Sequence, residues 1–489
     1  MKNLVNYSAK LCRYLLYVLP AVLFFSYHPV ISIAENSYMN LEFSLPEIWL
    51  ILFAIVAMPQ FGKIYKYYGV KKLIISLIIP VLCLASSIWS ENHLRAILTS
   101  GILFLLTFTV LISIILLKET KELRAELIKI LLLSATIVAV VCWAQCILDI
   151  AGVPRSITML CKGGTYESFG FPHPNGFAIE PQFMGNLLLA PVLLSFYLLF
   201  ARAYKNHKQK ILLILLTLFL SATLFLTLSR GAIFSFGIGM VVLAVSCGLK
   251  KYKGFLKSLA STIIIGLAGL LVALTADGIF ASLSPTNDTF MSGVSKAVHQ
   301  LSLGVIDIRP EEYKETETEK ESSLQNTSDE NSSPEAEKTS APESSNFSGY
   351  VAESTDVRLN LNTLAFNTWR ENPQYVLIGT GLGSAGIAMN KTYPAEIGPK
   401  EIVQNEYVSL FLELGILGCI TILAVAIYAA IKIPKNPLLV AIIFSFAFSL
   451  LFFSGLPNAL HIYLFPLLFA TKDKLFIEDK VKRHRNNRN

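Results

Sequence analysis

The stretch "LTLSRGAIFSFGIG", residues 226–239, sets a single arginine inside a long apolar run. A guanidinium is permanently charged, and its planar fork makes two parallel charge-assisted bonds to a phosphate. Two readings fit Arg230. As a turn residue between two helices it would snorkel to the lipid headgroups. As a ligand group it would hold an anion, because the "SRG" connection gives it few other places to go. Carboxylates occur in two further stretches. "AIEPQF" puts Glu180 directly before Pro181, a residue suited to the first turn of a helix. Glu180 is therefore either a group favoured by the positive helix end or a functional carboxylate. "IVQNEYVSLFLELGILG" holds Glu406 and Glu413 on one helix face, about 10 Å apart along the axis. A carboxylate within the membrane, as Glu413 would be, is a functional candidate by default, the other reading being a buried group that stabilises the bundle. His173, flanked by prolines, reads as a loop residue rather than a base.

Other patterns carry less chemistry. "GTGLGSAG" lacks the Lys and Ser/Thr of a nucleotide-binding P-loop, so it reads as a flexible loop entering a site. Gly415 and Gly418 read as positions for close helix packing. Of the seven cysteines, Cys12, Cys83, Cys142, Cys146, Cys247 and Cys419 fall in or beside apolar runs, and Cys161 lies in a loop. That spacing gives neither a disulfide framework nor a metal site. No metal, cofactor or nucleic-acid partner is expected.

The elements that must position these residues are membrane helices. The 489 residues are 53% hydrophobic and only 15% charged, where a soluble chain carries about a quarter charged residues. Apolar runs of about 20 residues recur, enough to cross ~30 Å of hydrocarbon. The expected fold is an all-α polytopic bundle of about twelve spans, at 14–33, 46–62, 73–90, 97–117, 130–150, 183–201, 211–228, 232–249, 258–276, 406–431, 437–455 and 459–471. With the N-terminus inside, cytoplasmic segments hold 28 of the 41 Lys and Arg residues, so both termini are expected in the cytoplasm and Arg230 at the outer surface. The net charge of +7 follows this topology.

Four regions result: helices one to nine over 1–276, an extracytoplasmic loop over 277–403, helices ten to twelve over 404–471, and a basic tail over 472–489. Within the loop, about 311–346 is acidic and rich in Ser, Thr and Glu, so disorder is expected. Residues 354–372 instead show an approximately helical stripe of Leu359, Leu361, Ala365, Phe366 and Trp369 that carries Arg358 near its start.

Three stretches in this order resemble the O-antigen ligase and surface-polysaccharide polymerase superfamily: "LSRGA" between helices, "STDVRLNLNTLAFNTW…NPQYVLIGTGLGSAG" in a long outer loop, then "QNEYVSLFLELGILG". The resemblance implies a metal-independent glycosyltransferase at the outer face of a bacterial cytoplasmic membrane. Its donor would be a glycan on an undecaprenyl-pyrophosphate carrier, and its acceptor a glycan or lipid-linked saccharide. By motif, Arg230 and Arg358 match the pyrophosphate-binding arginines. Gln404 stands where ligases carry a histidine, which favours a polymerase over a ligase. Glutamine cannot take a proton but can position a group by hydrogen bonding. Proton acceptance would then fall to Glu406 or Glu180, with Gln404 and Asn405 as positioners. The rival reading is a flippase or secondary transporter, which the helix count and Glu413 also fit. Against it, the sequence shows no symmetry between halves and no matched pair of interrupted helices.

Overall fold

The computed structural model describes residues 2–35, 40–160, 171–249, 255–284, 289–302, 305, 306, 308, 347–432, 436–453 and 459–469. The expected disordered stretch 311–346, the basic tail 472–489 and the loop position Cys161 lie outside the described residues. In chain order the elements are α1 (Lys2–Val22), β1 (Val30–Glu35), β2 (Asn40–Ser44), α2 (Leu45–Ala57), α3 (Phe61–Ser86), α4 (His93–Glu119), α5 (Lys121–Ile150), α6 (Arg155–Thr158), α7 (Pro181–Phe200), α8 (His207–Leu226), α9 (Arg230–Leu249), α10 (Phe255–Leu283), α11 (Phe290–Leu301), α12 (Phe347–Glu371), α13 (Pro373–Ile378), α14 (Ala385–Thr392), α15 (Glu406–Lys432), α16 (Pro437–Ser449) and α17 (Leu460–Phe469).

Apolar runs fold as helices because hydrocarbon offers no partner to a backbone N–H or C=O. Among the described residues eight helices are long and apolar enough to cross a membrane, and α16 and α17 are shorter apolar helices. Two of the twelve expected spans run together: α2 and α3 join through the 3-10 turn Met58–Gln60 into the stretch Leu45–Ser86, which bends where Gly69 takes φ 69°. The first helix also differs from its expected 14–33. It starts at Lys2 and leaves the helical path after Val22. Its polar first turns are partnered by its neighbour, with Ser8 Oγ donating to Val56 O at 2.7 Å and Trp49 Nε1 donating to Leu15 O at 2.9 Å. The apolar residues after it pair as a strand instead. Val30 to Glu35 form an antiparallel hairpin with Asn40 to Ser44, a small departure from an all-helical fold.

At the centre stands α7. It is apolar on every face, and such a helix must be buried all round. Nearly all of it is, against α5, α8, α9, α10 and α16. Small residues let these helices approach closely. A Cβ on Gly185 would lie 2.6 Å from Ala232 Cβ, and one on Gly239 would lie 2.9 Å from Leu193 Cδ1. Interhelical bonds add to this, such as Ser445 Oγ donating to Ser235 O at 2.8 Å and Trp143 Nε1 to Thr223 Oγ1 at 3.0 Å. Each such bond averages about 0.6 kcal/mol in a membrane, so close packing holds the bundle more than any one of them.

The amphipathic helix expected at 354–372 forms within α12 and packs on the start of α15. Leu361, Leu364 and Ala365 are buried there with Val403 and Leu412, and Trp369 packs against Phe411 with tilted rings, centroids 4.4 Å apart. Leu359 and Phe366, expected in the same stripe, are exposed.

Candidate functional site

Several helices begin around one cavity of about 400 Å³. The start of α4 contributes Arg95 and Thr99, α7 contributes Gln182 and Phe183, α14 contributes Ala385 and Gly386, and α15 contributes Glu406, Ser409 and Glu413. Helix N-termini present unbonded N–H groups and carry about half a positive charge each, so their convergence favours an anion. Arg95, Arg358 and Lys400 add full positive charges to the same lining.

Arg358 is half-buried on α12, and its Nη2 donates to Gln182 Oε1 at 3.1 Å. Gln182 in turn donates through Nε2 to Phe452 O at 2.7 Å. The guanidinium is therefore held by a side chain that is itself anchored on backbone. Glu180 occupies the position before Pro181 with extended backbone and makes no side-chain capping bond. Its side chain is accessible through the cavity, yet enough protein surrounds it that desolvation pushes its carboxyl above the ordinary value, an effect that Arg358 opposes.

Across the cavity, Gln404 and Glu406 line the wall, and Glu406 is buried with its backbone N–H donating to Leu450 O at 2.9 Å. Asn405, expected as a positioner, does not line the cavity. Its Oδ1 accepts from the backbone N–H groups of Tyr407 at 3.1 Å and Val408 at 3.3 Å, which is helix capping. Arg230 also lies outside the lining. The turn 227–229 carries Leu228 at φ 46°, and Arg230 is half-buried at the first position of α9. It is nonetheless adjacent to the cavity: a Cβ on its neighbour Gly231 would lie 2.8 Å from Phe452 Cβ, and Phe452 is a lining residue. His173 is fully buried outside the lining, and desolvation lowers it to about 3, so it is neutral near pH 7.

The expected flexible "GTGLGSAG" loop is instead pinned, because α15 is broken. Gly415, read from sequence as a packing glycine, takes φ 62° and ψ −171° within α15. A break at that depth leaves helix carbonyls without partners, which must be satisfied by protein. The loop supplies them: Thr380 N–H donates to Leu412 O and Gly381 N–H to Glu413 O, each at 2.9 Å. Its other side is clamped by Ser86 Oγ, accepting from Leu382 N–H at 3.1 Å, and by Ser90 Oγ, donating to Leu382 O at 3.0 Å. Gly379, Gly381 and Gly383 all have positive φ. A Cβ on Gly379 would run into the Glu413 carbonyl, so only glycine meets both the conformation and the contact.

Sequence reasoning assigned no role to Arg95 or Gln182, and weighed Glu413 without placing it. Arg95 carried a usable signal, an arginine beside the start of a span on the same side as Arg230. Gln182 carried none, since its worth depends on Phe452 and Arg358, both distant in the chain. Among the described residues no group of three or more His, Cys, Asp or Glu side chains could hold a metal.

A family model described as O-antigen ligase matches residues 215–423. The likeness covers 209 residues (215 to 423) of the 489, somewhat under half of the chain. The matched stretch runs from α8 into α15 and contains Arg230, Arg358, Gln404, Glu406 and the glycine loop. The eight long apolar helices among the described residues go with a multi-pass membrane protein. Neither a curated protein nor a solved structure is significantly similar to the chain.

Proposed function

We propose that the protein transfers a glycan from an undecaprenyl-pyrophosphate carrier to an acceptor glycan at the outer face of the bacterial cytoplasmic membrane, as a polymerase rather than a ligase. The observation that supports this most is the cavity itself, where Glu180 and Glu406 at the starts of α7 and α15 meet Gln404 and, from the middle of α12, Arg358. In the reaction an acceptor hydroxyl attacks the anomeric carbon of the donor sugar, and the bond to the carrier pyrophosphate breaks. Negative charge grows on the leaving pyrophosphate, where fixed positive charge helps most. Arg358 supplies it within the cavity, and Arg230 supplies it from the adjacent turn. Glu406 or Glu180 accepts the hydrogen bond, and finally the proton, of the acceptor hydroxyl. Gln404 orients that hydroxyl without taking its proton.

The Lys and Arg distribution supports cytoplasmic termini, and with them an outer-side position for the starts of α9 and α15. A transporter also uses broken helices at its binding site, and α15 is broken. The family match, however, favours glycan transfer. The test is mass spectrometry of carrier-linked and cell-surface glycans in a strain lacking the protein. Single repeats accumulating on the carrier support the polymerase. Long chains retained on the carrier replace it with a ligase, and intermediates confined to the cytoplasmic face replace it with a flippase.

A further inference from the structure

We propose that Arg95 and Glu413 form a sugar-binding subsite of the cavity, with the phosphate held at Arg358; this rests on the glycosyl-transfer reading above. Both residues line the cavity, Arg95 from the first turn of α4 and Glu413 from the last turn of α15 before its break. One is a guanidinium and the other a carboxyl group, yet no ion pair within 4.0 Å joins them. The glycine loop explains how each is held. Arg95 lays its stem against Gly383, where a Cβ would lie 2.8 Å from Arg95 Cγ. Glu413 is buried and accepts through Oε1 from the Ala385 N–H at a long 3.4 Å. The Gly383 N–H also bonds this carboxyl; a carboxylate has about four lone-pair sites, so acceptor capacity remains for a ligand.

The charge pattern selects the ligand class. A phosphate placed here would face the Glu413 carboxylate, whereas at Arg358 it meets a cation. A sugar ring presents hydroxyls that each donate and accept, and it suits a site with both a carboxylate acceptor and guanidinium donors. Thr99 and Ser409 add hydroxyls to the same lining. The cavity, about 400 Å³, lies within the roughly 300–1,000 Å³ typical of small-molecule sites. Glu413 is therefore a binding residue for the glycan, and the phosphate end at Arg358 is separate from it.

The experiment uses the full chain in lipid nanodiscs and two probes. One is free glycan released by mild acid from the carrier-linked pool of a strain lacking the protein; the other is inorganic pyrophosphate. Calorimetry reads each equilibrium constant. Glu413→Gln is expected to weaken glycan binding by roughly tenfold or more while leaving pyrophosphate within about twofold, the scale of one hydrogen bond to a charged group. Arg358→Lys is expected to give the opposite split. If Glu413→Gln does not insert stably, Arg95→Gln takes its place with the same expected split. Glycan binding equal to the parent, or parallel loss of both probes, overturns the proposal and leaves Glu413 a structural group. A parent protein that binds neither probe overturns the glycosyl-transfer reading as well.

Discussion

Two helices enter the cavity by their N-termini and then behave in opposite ways. The central helix α7 continues unbroken past Pro191 and is buried along most of its length. By contrast α15 departs from helical geometry at Gly415, and most of its apolar length is not buried by protein. An intact helix satisfies its own backbone and can serve only as scaffold, offering side chains at its end. A broken one leaves carbonyls that another segment must satisfy, and that requirement brings the 379–384 loop, with Arg95 behind it, to the cavity. The α7 wall is made of side-chain links, and the α15 wall of backbone links.

The largest effect should come from attacking the backbone wall. Gly379→Ala puts a Cβ into the Glu413 carbonyl at a residue with φ 76°. The left-handed backbone costs about 1–2 kcal/mol and overpacking typically 1–3 kcal/mol more. Displacing a site by about 1 Å costs on the order of 10²-fold in rate, so an activity loss of that size is expected in a polymer-length assay. Gly398→Ala, where a Cβ would meet nothing within 4 Å, is the matched control and should behave like the parent.

Next in size is Arg358→Lys, which keeps the charge but loses the fork that reaches Gln182. Removing a whole donor to a developing oxyanion costs at least about 10²-fold; lysine keeps the charge, so kcat of the purified protein should fall by less than that. Arg230→Lys is expected to lose most activity as well. If only the Arg358 variant is impaired at equal expression, Arg230 is a headgroup-snorkelling turn residue.

A smaller effect is expected for Gln182→Ala, which leaves Arg358 charged but unanchored. Loss of a hydrogen bond to a charged group, about 1.5–3 kcal/mol, should appear as a donor KM raised by roughly tenfold or more with kcat less affected. A kcat loss without a KM change would make Gln182 a structural link between α7 and Phe452 instead.

Least in size is a pH effect from Glu180. Its carboxyl lies above the ordinary value because of desolvation, with Arg358 opposing. As pH falls through that raised value the carboxylate takes a proton and stops competing with the pyrophosphate for Arg358. Donor KM should therefore fall toward acid pH in the parent, and Glu180→Gln should hold the low KM at every pH. A parent and variant with parallel pH profiles would separate Glu180 from the anion site.

The same contrast decides what the sequence could disclose. Long apolar runs, the α8–α9 turn at Arg230 and the amphipathic later part of α12 were readable because each depends on neighbours in the chain. So was the grouping of Glu406 with Glu413, which needs only helix geometry. The break at Gly415 was not. In sequence a glycine in an apolar helix reads as a packing position, and what makes this one a break is a loop more than 30 residues earlier whose amides take the freed carbonyls. For the same reason "GTGLGSAG" read as flexible when it is pinned on both sides. Asn405 was read as a positioner through the family resemblance, while its side chain is committed to capping. The first helix shifted because the reading counted apolar residues and could not count the bonds that α2 lends to Ser8 and Leu15.

The short turn after α16 has a consequence for how the protein tolerates change. Leu450 accepts the Glu406 N–H and Phe452 accepts the Gln182 amide, both through main-chain oxygen. Replacing the Leu450 side chain moves neither acceptor, so many residues should serve there. Inserting a single residue between them would shift one acceptor against the other and pull the two walls of the cavity out of step. At this turn chain length is under tighter constraint than chain identity.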